Sequence, residues 1–181
     1  MNTTPKTIQV YLPSGNPRGI RTAEITTGII KIIEIPRSLL GEFYKMDESS
    51  QVALYFLFGN EDDDDKQRVY IGQTGDLRSR FKNHHNDKDF WERALVFVST
   101  KHSLTTAHTL FLESYCLLKA KEAGRFENEN GNKGSRPHTP PPLKNECLDL
   151  FQEGATLLAT LGYPIFSPIV QAPSQDASEQ T

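Results

Sequence analysis

The order of short apolar segments along the chain restricts its fold more than any other feature. Six runs have the composition of strands: residues 7–12, 20–26, 28–36, 52–58, 68–72 and 93–100. Tight turn signals separate the first three, which predicts a small β meander, and the next two flank a polar loop, which predicts a hairpin. Helical periodicity follows in three segments: from residue 76 through "DLRSRFKNHH", over 103–124 and over 143–162. We therefore predict an α+β fold in which a β meander precedes a small three-stranded antiparallel sheet flanked by helices.

Composition and turn residues divide the chain into five segments. Its 181 residues are enough for one catalytic domain and an accessory piece. We predict an N-terminal β-rich segment at 1–46, a central domain at 47–132, a Pro-rich linker at 133–142, a C-terminal helix at 143–170 and a disordered tail at 171–181. The tail has too few apolar residues to fold.

Composition also excludes several classes of protein. No apolar run approaches the ~20 residues of a membrane helix, and the N-terminus has no apolar segment typical of a signal peptide, so we expect a cytoplasmic protein. Two cysteines, Cys116 and Cys147, form neither a disulfide framework nor a zinc motif. The net charge of −3 argues against a uniformly basic coat but leaves room for a local basic patch.

The first predicted helix after the hairpin carries polar residues beside its apolar stripe. Leu77, Arg80, Phe81 and His84 follow the i, i+3, i+4, i+7 spacing and therefore share one side of the helix. Leu77 and Phe81 are expected in the core, with Arg80 and His84 at its rim. Taken alone, this pattern is explained by rim side chains that cover apolar surface.

The helix over 103–124 contains a carboxylate in an apolar stripe. Glu113 has Leu110 three residues before it and Leu117 four residues after it. A buried carboxylate is costly unless it is paired, hydrogen-bonded or bound to a metal. Spacing alone leaves three interpretations open: a metal ligand, a structural salt bridge to Arg80 or Arg93, or a residue at the edge of the stripe.

The order of "ALYFLFG", "VYIGQTGDLRSRFKNH" and "FLES" resembles the GIY-YIG nuclease family over roughly residues 51–132. Tyr70-Ile71-Gly72 matches the second half of the family's name, whereas Ala53-Leu54-Tyr55 keeps only the tyrosine of the first half. The acidic run 61–65 makes the gap between the two tyrosines longer than usual. The segment 1–46 lies outside this core and looks like the N-terminal part of a bacterial subgroup.

The resemblance implies a catalytic set and a role for each member. The set consists of Tyr55, Tyr70, Arg80, His84, Glu113 and Asn130. Asn128 and Asn132 are alternatives to Asn130, which would support the site by hydrogen bonding. Glu113 is implied as the ligand of one Mg²⁺ or Mn²⁺ ion, with water and phosphate completing the shell. No small-molecule cofactor is expected.

The chemistry of phosphodiester hydrolysis suggests what the other members do. Arg80 would neutralise the phosphate, and Tyr55 and Tyr70 would contact the phosphate and the attacking water. By family analogy Tyr55 is the general base, which requires a pKa lowered from ~10 by a nearby cation or metal. His84 would position that base or relay its proton.

The predicted function is therefore a metal-dependent endonuclease that hydrolyses DNA, one strand per active site, so double-strand cleavage would need a homodimer. Between Lys66 and Lys101, eight basic side chains stand against four acidic ones, and we assign DNA contacts to Arg68, Arg78 and Lys82. Two alternatives remain: a catalytically silent nucleic-acid-binding module of the same fold, and an unrelated α/β interaction domain whose tyrosines and Glu113 do not converge on one site.

Overall fold

The structure, a computed structural model, describes residues 4–60, 67–131 and 137–169. The described strands are β1 (Ile8–Tyr11), β2 (Arg21–Ile25), β3 (Ile30–Pro36), β4 (Ala53–Gly59), β5 (Arg68–Thr74), β6 (Arg93–Ser99) and β7 (Glu127–Asn128). The α-helices in these ranges are α1 (Leu40–Phe43), α2 (Leu77–Asp87), α3 (Thr106–Ala123) and α4 (Pro141–Thr160). Single 3₁₀ turns cover Arg37–Leu39 and Asp47–Ser50. The predicted α+β class is confirmed.

The predicted three-stranded sheet is wrong, because the described strands form one sheet of seven in the order β1-β2-β3-β6-β4-β5-β7. The predicted hairpin β4–β5 and the strand β6 do pair, but β6 also pairs with β3 from Ile30↔Ser99 to Pro36↔Arg93. The meander therefore continues the central sheet. A short parallel pairing of β7 with β5 adds the last strand. Pairing with β3 covers the second edge of β6, which would be exposed in an isolated three-stranded sheet.

Each face of the sheet is covered by different helices, and β4 contributes to both. Its residues are all buried, and alternation sends Phe56 and Phe58 toward α3 and α4 but Tyr55 and Leu57 toward α2. An uninterrupted apolar run is what a strand covered on both faces requires. The two cores are therefore separated by the sheet, and the second one contains the tyrosine.

The helices α2 and α3 are bounded by residues that cap helix ends. The carboxylate of Asp76 accepts a hydrogen bond from the Ser79 N–H at 3.3 Å and caps α2. Thr105 and His108 form a capping box at the start of α3, and Gly124, in the left-handed conformation, ends it. These caps fix where α2 and α3 meet the sheet.

Some predictions fall on residues outside the described ranges. The acidic run 61–65, the alternative Asn132 and the tail 171–181 all lie there. Within the described ranges, no helix combines the length and the apolar character that crossing a membrane demands.

Candidate active site

The hydroxyl of Tyr55 lies at the centre of the candidate site. Tyr55 is fully buried on β4, where α2 crosses the face of the sheet. Its oxygen lies 2.7 Å from Nε2 of His84 and 3.1 Å from Nε of Arg80. The Arg80 Nε–H donates to the phenol oxygen, which leaves the Tyr55 hydrogen for Nε2 of His84. One turn of α2 thus brings an arginine and a histidine, spaced i and i+4, onto one phenol.

The position of the Tyr55 ring requires a glycine at residue 72. Gly72 pairs with Tyr55 across β4 and β5, so both residues face the same side of the sheet. A Cβ at Gly72 would lie 2.5 Å from Cζ of Tyr55 and closer still to its hydroxyl. The missing side chain therefore lets the Tyr55 ring lie over β5, and this close approach accounts for the glycine of "YIG".

Tyr70 stands beside Tyr55 on the neighbouring strand. The two rings stack with centroids 6.2 Å apart, and Tyr70 also meets the His84 ring edge-on at 5.2 Å. The Nζ of Lys88 lies 4.4 Å from the Tyr70 centroid. Sequence reasoning missed Lys88, although it continues the spacing of Arg80 and His84 by four more residues. Tyr70 is half-buried and thus reaches the surface that Tyr55 does not.

Burial and neighbouring cations set the protonation states at the site. Burial, followed by the positive charges of Arg80 and Lys88, lowers the pKa of His84 to about 4, so this imidazole is neutral at pH 7. Burial also raises the pKa of Tyr55, and the hydrogen bond from Arg80 opposes this only in part. The protein groups by themselves therefore raise the pKa of Tyr55, opposite in direction to the expected lowering, because a phenolate is poorly solvated at a fully buried position.

Glu113 approaches the site around the outer edge of β5. Its half-buried carboxylate accepts a hydrogen bond from the backbone N–H of Gln73, and the Thr109 hydroxyl contacts the Gln73 side chain at 3.2 Å. Burial raises the pKa of Glu113, and that N–H and the charge of Arg80 act against the rise. α3 covers the opposite face from α2, yet Glu113 and Arg80 interact electrostatically. Gln73, which sequence reasoning missed, is the β5 residue that contacts both Thr109 and Glu113 of α3.

Asn130 binds the same edge of β5 as a substitute for a strand. Its Oδ1 accepts from the Ile71 N–H at 2.9 Å, and its Nδ2 donates to the Ile71 carbonyl at 2.7 Å. Asn128 lies in β7 beside Val69 and accepts a hydrogen bond from the Asn130 backbone. Of the described asparagines considered, Asn130 is therefore the one whose side chain holds β5 between Tyr70 and Gly72.

The three arginine and lysine residues predicted to contact DNA lie away from Tyr55. Arg68 forms a salt bridge of 2.7 Å with Glu129 beside β7. Arg78 donates to the Tyr44 carbonyl and, at 3.1 Å, to the Ser49 hydroxyl. Lys82 lies 5.7 Å from the Tyr44 ring centroid. Arg78 and Lys82 therefore occupy the flank of α2 that faces α1, on the other side of the helix from Arg80.

The residues fit one weakly held divalent cation. No group of three or more histidine, cysteine or acidic side chains gathers in the described part of the chain. Mg²⁺ does not need such a group, since it is commonly held by one or two carboxylates together with water and substrate phosphate. Glu113, a carboxylate kept half-buried close to Arg80, supplies that kind of donor.

Comparisons of the chain with protein-family models, with curated proteins and with solved structures found no match. The resemblance to the GIY-YIG nucleases therefore rests on the sequence motifs alone. Four of the six predicted catalytic residues make direct contacts around Tyr55: Tyr55, Tyr70, Arg80 and His84. The other two, Glu113 and Asn130, hold the adjacent edge of β5.

Proposed function

We propose that this protein is a metal-dependent endonuclease that hydrolyses DNA phosphodiester bonds, one strand per active site. One observation carries the proposal: the Tyr55 hydroxyl, the Arg80 guanidinium and the His84 imidazole converge within hydrogen-bond distance. Glu113 adds a carboxylate within the electrostatic reach of Arg80. A solvated interaction domain would have no need to bury this combination.

Arg80 is the group suited to hold the scissile phosphate. Arg80 is exposed, its Nε–H donates to Tyr55, and Tyr70 is its other phenol neighbour. Within the described ranges, no carboxylate forms a salt bridge with it. An unneutralised guanidinium binds phosphate oxygens in a two-pronged geometry and stabilises the charge that develops in the transition state.

Tyr55 and His84 together can accept the proton of the attacking water without forming a buried phenolate. This step needs substrate binding to uncover the Tyr55 oxygen, which is buried in the structure; the water proton then goes to that oxygen while the Tyr55 hydrogen passes over 2.7 Å to Nε2 of His84. Tyr55 ends the step neutral, as its raised pKa requires. The negative charge of a phosphate bound at Arg80 would raise the pKa of His84 from about 4 and favour this transfer.

Glu113 would hold the Mg²⁺ or Mn²⁺ ion. When bound, such an ion supplies Lewis-acid stabilisation of the negative charge on the phosphate and the leaving oxygen. The backbone N–H of Gln73 counteracts the raised pKa of this carboxylate and so favours the charged form that would hold the ion.

The test is nicking of supercoiled plasmid DNA in Mg²⁺ or Mn²⁺. Glu113→Gln keeps an oxygen that accepts from the Gln73 N–H but removes the charge, so it separates metal binding from edge pairing. Glu122→Gln is the matched control, because Glu122 lies on the same helix and pairs with Lys119. We expect nicking by the unmodified chain and by Glu122→Gln, and at least ~100-fold slower nicking by Glu113→Gln.

Two outcomes would contradict the proposal. Nicking by Glu113→Gln at the unmodified rate would remove Glu113 from the site. DNA binding without nicking by the unmodified chain would instead identify a silent nucleic-acid-binding module.

A further inference from the structure

A groove between α1 and α2 lies on the far side of α2 from the candidate site. Its volume is about 500 Å³, and we call it the α1–α2 groove. The residues that matter for its chemistry are Arg37, Ser38, Gly41, Tyr44, Lys82 and His85. Four of these six come from the segment before residue 46, for which the sequence offers no function. We propose that the α1–α2 groove binds the phosphate backbone of the DNA on which the site acts, an inference that rests on the proposed function.

The groove presents positive charge without acidic partners. The Arg37 guanidinium is held by hydrogen bonds to the backbone carbonyls of His85, Asp89 and Trp91 and lies 4.5 Å from the Trp91 ring centroid. Carbonyl groups fix the direction of a guanidinium but leave its full charge. Lys82 rests over an aromatic ring instead of a carboxylate. Across the described residues, neither Arg37 nor Lys82 forms a salt bridge.

The acidic side chains nearby are occupied or lie at the ends of α2. Glu42 of α1 pairs with Lys45 at 3.1 Å. Asp76 caps the N-terminus of α2, and Asp87 and Asp89 lie at its C-terminal end. The middle of the helix, where Lys82 lies, therefore has no acidic side chain to neutralise it. This favours an anionic ligand that passes over the middle of α2.

α2 carries basic side chains on both flanks of its buried stripe. Arg80 and Lys88 turn toward the tyrosines, whereas Arg78, Lys82 and His85 turn toward α1. The flanks are separated by the width of one helix, ~10 Å, and each DNA base step advances ~3.4 Å. A strand cut at the site would thus reach the groove roughly three steps away. Charge complementarity and this spacing fit a DNA backbone.

Negative charge introduced on the α1 side of the α1–α2 groove tests whether the groove binds DNA, and it leaves the residues of α2 unchanged. Ser38 is exposed, and a Cβ at Gly41 would meet no atom within 4 Å, so both positions accept a longer side chain. Ser38→Glu and Gly41→Glu add negative charge to the groove, and Ser38→Gln and Gly41→Gln match them in size. Gln152→Glu adds the same charge on α4, which covers the opposite face of the sheet.

The measurement is the affinity for a fluorescent 30-base-pair duplex at several salt concentrations, with Glu113→Gln in every protein so that the duplex stays intact. We expect each groove glutamate to weaken binding about three- to tenfold and to flatten the salt dependence, with the glutamine controls and Gln152→Glu within about twofold of the parent.

The outcomes separate the groove from the proposed function. Unchanged affinity in both groove glutamate variants, with nicking intact in the unmodified chain, overturns the groove alone; a groove that receives an acidic protein would give this result. Equal weakening by Gln152→Glu also overturns it, because the effect would then reflect net charge. Absence of both nicking and DNA binding in the unmodified chain overturns the proposed function and the groove with it.

Discussion

Two clusters of polar side chains are buried on opposite faces of the same sheet, and within the described residues they differ in whether their cations have a carboxylate partner. On the face covered by α4, Glu34 is 1% exposed and contacts Arg21, Arg93 at 3.1 Å and the Tyr163 hydroxyl at 2.9 Å. On the face covered by α2, the Tyr55 hydroxyl contacts a guanidinium and a neutral imidazole. The first cluster pairs its carboxylate with two cations, whereas the second pairs its cation with no carboxylate.

This difference separates a structural cluster from a candidate functional one. The Glu34 carboxylate is saturated by its partners and ties together β2, β3, β6 and Tyr163, which follows α4. In the Tyr55 cluster, the polar groups of Tyr55 and His84 are buried, whereas the positively charged Arg80 is exposed to solvent. Since burying polar groups is costly, a guanidinium that forms no salt bridge among the described residues is what a site for an anionic ligand requires.

The largest effect is expected from breaking the structural cluster. Glu34→Ala leaves two arginines beside the sheet without their carboxylate and should lower the free energy of unfolding by about 3–5 kcal/mol. Urea denaturation measures this loss. A loss below ~1 kcal/mol would show that the Glu34 cluster does not stabilise the fold and would contradict its structural role.

The next prediction compares one phenol from each cluster. Tyr55→Phe should slow nicking by ~100-fold or more, because it removes the hydroxyl that relays the proton, and cost about 1 kcal/mol of stability. Tyr163→Phe, the matched change in the Glu34 cluster, should cost a similar stability and leave the nicking rate unchanged. Nicking rates and urea midpoints of both variants check this. Equal losses of nicking would mean that both clusters act only through stability.

The pH dependence of stability sharpens the comparison further. Burial holds the pKa of His84 near 4, below the unfolded value of 6.5. As the pH falls from 6.5 toward 4, the unfolded chain binds a proton at this residue that the folded chain does not, so stability is lost on acidification. The loss should be about 2–3 kcal/mol between pH 7 and pH 4.5 and should be absent from His84→Gln. Parallel pH profiles of the two proteins, measured by urea denaturation, would contradict the buried neutral imidazole.

A smaller effect on stability is expected at Gly72. Gly72→Ala forces the Tyr55 ring away from β5, at a cost of about 1–3 kcal/mol from overpacking, and nicking should fall at least tenfold. Gly75→Ala is the control, because its Cβ would meet no atom within 4 Å. Thermal denaturation and the nicking assay measure the two effects. Normal nicking by Gly72→Ala would show that the position of the Tyr55 hydroxyl is not critical.

The local elements of the fold could be predicted from the sequence, but the sheet as a whole could not. Alternation and turn residues identify each strand of the meander and of the hairpin, because these signals are local. The pairing of β3 with β6 joins residues about 60 positions apart in sequence, and an apolar strand carries no mark of its distant partner. β7 was missed because two residues in a polar stretch give no periodic signal.

The candidate site shows the same division. The spacing of Arg80 and His84 on one helix predicts that they lie together, and the structure places both on Tyr55. The position of Glu113 beside β5 could not be predicted from the sequence of α3, because it depends on a contact with Gln73 in another element. The direction of the Tyr55 pKa was also inaccessible, because it follows from complete burial, a property of the assembled fold.

The central claim is that Tyr55 and Glu113, on opposite faces of the sheet, serve one site. The most direct test is the single-turnover nicking rate of Tyr55→Phe, of Glu113→Gln and of the double variant in Mg²⁺. Residues that act as a unit are non-additive, so the double variant should be no more than a few-fold slower than the slower single variant. Fully multiplicative losses, or a normal rate in either single variant, would contradict a single site.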